Sequence, residues 1–164
     1  MANISEQPIN PKTLASLQNC ARDGMKLLQL DATAEPKAIV AAVDDFVYKW
    51  QKNQRPAPEV LNAEDAPYIM GSLWGEQVVR QLGWEWAKII FHDNKDTVAH
   101  GVFTPDRALA IYPIPFVLRA MRDPRVDATI ALSFNMLVAG KIRNLKPGEY
   151  SNLMPTIGRI VPRI

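Results

Sequence analysis

Glu76 and Arg80 stand four positions apart, in the order that favours an ion pair on a helix. A carboxylate beside a guanidinium has two uses. It orients one element against another, or it acts as a general acid or base tuned by its charged neighbour. No second carboxylate or nucleophile lies at a telling distance, so the pair reads first as structural. Ser72 and Ser133 are nucleophile candidates by elimination. Neither lies in Gly-x-Ser-x-Gly or Ser-x-x-Lys, and both sit among helix-packing residues. His92 and His100 would fall on facing strands of one hairpin. Two imidazoles can begin a metal site, but a stable site needs three or four ligands. Asp93 and Asp96 read as solvent-facing turn residues, so the sequence predicts neither a metal nor a cofactor. Cys20 is alone, which excludes a disulfide within the chain. Its place in an amphipathic pattern reads as a small buried hydrophobe.

The aromatic residues offer a second kind of chemistry, that of recognition. Trp74, Trp84 and Trp86 fall within thirteen residues. Trp84 and Trp86 are two apart and share a strand face with Lys88, Ile90 and His92. Tryptophan beside Lys and His has the makeup of a protein-binding surface. Plain core packing of both rings is the competing reading. Residues 141–164 hold Lys141, Arg143, Lys146, Arg159 and Arg163 against Glu149 alone. That is +4 for the tail, and −2 for the rest of a chain whose net charge is +2. Arg159 and Arg163, with Trp84, Trp86 and Lys88, are therefore the candidate contacts to a partner.

These residues need a scaffold, and the composition supplies one. At 164 residues, 48% apolar and 22% charged, the chain suits one soluble globular domain. A charge of +2 argues against a dedicated nucleic-acid binder. No apolar run approaches a membrane span, and residues 1–6 lack the basic-then-apolar start of a signal peptide. The expected location is the cytoplasm.

The predicted layout is α+β: N-terminal helices, a small antiparallel β-meander, then C-terminal helices and an irregular tail. Residues 1–58 form a helical part, 62–140 an α+β core, and 141–164 a basic apolar tail of the same domain. Asn10-Pro11 opens the first helix, with Leu14, Leu17, Ala21, Met25 and Leu28 on one face. The second carries Ile39, Val43, Phe46, Val47 and Trp50. The third opens at Asn62 or Glu64 and runs to Gly83, with Gly71 and Gly75 marking the close approach of another element. Strands follow at 84–92, 97–104 and 108–112, joined by turns at Asp93–Asp96 and Thr104–Arg107. A short helix spans 116–122. The last spans 128–139, capped by Asp127 and closed by Gly140. Tyr150, Leu153, Met154, Ile157, Ile160, Val161 and Ile164 make the tail too apolar for disorder, so it should pack on the domain or a partner.

Several short motifs together resemble a family of small bacterial domains found as immunity-like proteins beside secreted antibacterial toxins. They are Gly71-Ser-Leu-Trp-Gly-Glu76, Leu82-Gly-Trp-Glu-Trp86, Thr104-Pro-Asp-Arg107, Ile111-Tyr-Pro113 and Phe134-Asn-Met-Leu-Val-Ala-Gly140. The resemblance covers residues 62–140 and implies a non-enzymatic protein that binds and blocks a cognate toxin. A second reading is a small enzyme with a site at Glu76, Arg80, Tyr112 and Asn135. A third is a homodimeric ligand-binding protein.

Overall fold

In the computed structural model, which describes residues 3–143, 145–161 and 163, a short strand β1 (Ile4–Gln7) precedes the first helix. Helix α1 (Pro11–Leu27) starts as its sequence requires. The Asn10 side chain accepts the Lys12 N–H at 2.8 Å, and Pro11 takes the first turn, where its missing N–H costs nothing. Leu17, Ala21 and Gly24 face inward. Helix α2 (Pro36–Gln51) buries Ile39, Val40, Val43, Val47 and Trp50. Helix α3 (Ala66–Leu82) begins later than Asn62 or Glu64 and is buried over most of its girth, as a central helix must be. A side chain at Gly71 would put its Cβ 2.7 Å from the Ile114 Cα, and one at Gly75 would strike the Trp86 ring. The glycine side of α3 is therefore the seat of another element, as the spacing predicts. Gly83, at φ 72°, ends the helix in the left-handed region.

Strands β2 (Glu85–Phe91), β3 (Thr97–Phe103) and β4 (Leu109–Ile111) form the expected antiparallel meander, with Trp86 opposite Val102 and Lys88 opposite His100. Helix α4 (Pro113–Arg122) starts one turn earlier than predicted, because Pro113 is itself a good first-turn residue. Helix α5 (Ile130–Val138) and a two-residue strand β5 (Ser151–Asn152) complete the described order.

The layout of helices, then meander, then helices needs correction. The sheet has five strands in the order β1-β2-β3-β4-β5 and is mixed. β1 pairs antiparallel with β2, and β5 pairs parallel with β4. The fold class, α+β, stands. Both added strands are short and lie at sheet edges, where a distant partner rather than a local pattern decides the conformation.

Helices and one sheet face enclose the main core, with Trp74, Val78, Trp86, Val102, Ile111 and Ile130 among its members. The other sheet face carries a smaller cluster of Ala87, Ile89, Phe103 and Ala110, packed by Ile4, Phe91, Tyr112 and Tyr150. Its rings run in series: Phe91 to Tyr112 at 5.9 Å, Tyr112 to Phe103 at 5.9 Å, Phe103 to Tyr150 at 5.7 Å. Arg107 closes this cluster, reaching Glu6 of β1 at 2.7 Å and Glu85 of β2 at 2.6 Å. The Tyr150 hydroxyl donates to the same Glu6 at 3.0 Å. These bonds hold the Glu6 carboxyl below its usual range, Arg107 being the first cause.

The last helix differs from its expected form. It starts at Ile130, and Asp127 pairs with Arg159 instead of capping it. The cap comes from α2: the buried Asp44 carboxylate accepts the Ala131 N–H at 3.0 Å and also meets Arg163. Leu153 and Met154 of the tail are buried, whereas Ile160 and Val161 are exposed. Ile164 lies outside the described residues. No described helix is long and apolar enough to cross a membrane.

Candidate functional site

A cleft beside strand β3 is built by the way β4 ends. The Thr104 N–H donates to the Leu109 carbonyl at 3.1 Å. Bonding groups alternate in direction along a strand, so the N–H and C=O of Val102, His100 and Val98 point to that same side. β4 pairs with β3 only at Val102 and Phe103. Continuing that register would set Pro113 opposite His100 and Pro115 opposite Val98. Proline has no N–H to give, and the chain turns there into α4. Among the described residues, no backbone group bonds Val98 or His100 on this side.

The space that β4 leaves is a cleft of roughly 400 Å³. Phe91, Ala99, Tyr112, Phe116 and Met154 make its apolar walls, with Val98, 48% exposed, at its mouth. Trp74 supports Phe116 from below, edge to face at 5.6 Å. Arg119 and Asn152 supply polar groups at the rim. Burial pushes the Tyr112 phenol up to about 12, so it stays a neutral donor at ordinary pH. Arg119 is the charged residue among the cleft's lining, and its neighbour Asp123 is engaged by Arg125 at 3.0 Å. Size and lining are those of a site for an apolar group with a few fixed polar contacts. A wider hollow of about 520 Å³ lies between α1 and α2, but its Asp45 and Lys49 pair with each other at 2.9 Å and its Arg55 stacks on Trp50.

The residues singled out from the sequence are dispersed. Trp84 and Trp86 are 6% and 9% exposed and belong to the main core. They are therefore not surface anchors; the strand face that bears them meets the helices. Lys88 is half-buried opposite His100. Arg159 and Arg163 are bound within the chain, Arg159 to Asp127 at 3.0 Å and Arg163 to Asp44, with the Arg163 guanidinium 4.1 Å from the centre of the Tyr48 ring. The charge of the tail is thus partly taken up by carboxylates far off in sequence.

Glu76 and Arg80 do not form the expected pair. Glu76 accepts the Trp86 indole N–H at 2.9 Å, and Arg80 donates to the Ala34 carbonyl at 3.3 Å. Both line a shallow depression between α1 and α3, whereas Tyr112 lines the cleft at β3 and Asn135 is exposed on α5. The four are not brought to one cavity. Ser72 and Ser133 are buried, and the Ser133 hydroxyl donates to the Ile130 carbonyl at 2.8 Å.

His92 sits in the turn after β2, not on a facing strand. Its ring bonds Asp96 and Ser5, each at 2.6 Å. His100 faces Lys88 across the ladder, and burial together with that cation lowers its pKa. No three His, Cys, Asp or Glu side chains gather as a metal would require among the described residues. Cys20 is half-buried, and burial and nearby acids push its thiol up.

Sequence reasoning missed Phe116, Arg119 and the β3 edge. The signal was present in Tyr112-Pro-Ile-Pro115, which halts the third strand before it can cover the second. Comparison with known families, curated proteins and solved structures finds no match.

Proposed function

We propose that the protein is a non-enzymatic binding protein of the immunity type, which neutralises a toxin by direct contact. The cleft between β3 and α4 is the face that meets the partner. One observation carries this: an apolar cleft of roughly 400 Å³ beside an open strand edge, backed by packed aromatic rings. Such a surface is formed before binding and loses little freedom on contact. Glu76 accepts from the Trp86 indole and Arg80 donates to the Ala34 carbonyl, contacts that suit a structural role for these two residues.

The test is co-expression with secreted toxins encoded beside it, followed by purification of the tagged full chain. The proposal requires one stoichiometric protein partner whose toxicity is suppressed. A co-purifying metabolite that is turned over, with turnover lost in Glu76→Gln and no protein partner, would sink it.

A further inference from the structure

We infer that the open edge of β3 receives an extended, acidic segment of the partner protein as an added strand, with its apolar side chains in the cleft and a carboxylate on Arg119. This deepens the binding reading above and rests on it.

Three observations converge. First, Val98 and His100 present backbone N–H and C=O groups to the side that Pro113 and Pro115 leave unpaired. An exposed strand edge is a template for another strand, and added strands draw affinity from backbone bonds. Second, the cleft opens on this edge at Thr97, Val98 and Ala99. Side chains alternate between faces of a strand, so every second residue of an added segment would enter the space between Ala99, Tyr112 and Phe116. Third, the charge is one-sided. Arg119 lines the cleft with no acidic residue among the lining. A segment carrying Asp, Glu or a terminal carboxylate answers that charge and the neutral Tyr112 donor together. A second copy of β3 offers Val98 and His100, but no carboxylate, at the matching positions.

A displayed library of random decapeptides selected against the full chain tests this. Enriched peptides should alternate apolar residues and carry an acid. Val98→Pro removes the outward N–H without touching a ladder bond to β2, and should abolish binding while the circular dichroism spectrum is unchanged. Val98→Ala keeps the backbone and should retain binding. Arg119→Glu should weaken binding roughly tenfold, whereas Arg119→Lys should keep most of it. No enriched peptide, binding indifferent to Val98→Pro when Val98→Ala also binds, or a dimer that Val98→Pro dissociates would each overturn the inference. The two proposals fail separately. Peptide binding without toxin suppression rejects the immunity reading alone. Suppression that survives Val98→Pro rejects the added strand alone.

Discussion

A methyl group at Gly75 would run into the ring of Trp86. That ring is also held by the bond from its indole N–H to Glu76, the residue next to Gly75. Gly75→Ala should therefore destabilise the fold by roughly 1–3 kcal/mol in urea unfolding, the range for overpacking a filled core. An unchanged midpoint would mean that Trp86 can slide. Glu6 gives the pH dependence. Its carboxyl is held below the ordinary value of 4.5, first by Arg107 and further by Tyr150, while Glu85 shares the same guanidinium. A lowered pKa in the folded state means that its contribution is full above the ordinary value. It is lost as the pH falls through the lower, folded value. Protection of the β1 amides, measured against the intrinsic exchange rate at the same pH, should accordingly fall in acid, and Glu6→Gln should flatten that response. Equal exchange in the two proteins at every pH would show that Glu6 does not tether the strand.

Helix α5 depends on a residue of another helix. Its first turn has no capping side chain of its own, and Asp44 of α2 supplies the acceptor while holding Arg163. Asp44→Ala leaves the part-buried Ala131 N–H without its acceptor and Arg163 without its carboxylate, and should cost roughly 1–3 kcal/mol by chemical denaturation. Helices α1 and α3 were readable because Asn10-Pro11 and Gly83 mark their ends and the apolar period fills what lies between. The cap of α5 was not, since Asp127 stands at the right spacing but spends its charge on Arg159. β1 escaped because Ile4-Ser-Glu-Gln7 has no alternation to read. Trp84 and Trp86 looked like a surface because a two-residue period says which side chains share a face, not which face meets the helices. The site itself lay in register, which appears only once Val102 is set opposite Ile111.

At the scale of the molecule, segments from either end of the described chain flank the meander: β1 covers β2, and β5 extends the sheet beyond β4. Leu153 follows β5 into the main core. Leu153→Ala should cost roughly 2–5 kcal/mol, the range for a buried leucine. Unfolding should also remain one transition, with the near- and far-ultraviolet signals coincident. An early separate loss of the sheet signal would mean that the tail is a detachable addition. The same arrangement sets the order of assembly. Ser5 and His92, which are hydrogen-bonded across β1 and the end of β2, stand 87 positions apart. A growing chain makes β1 first and must wait for α1, α2 and α3 before its partner exists; β5 follows α5. Loops of that length close slowly, so the helices form early and the sheet is sealed late. From the emergence of β2 until β1 closes onto it the β2 edge stays bare, and that interval is when two chains on neighbouring ribosomes run the greatest risk of exchanging their first strands.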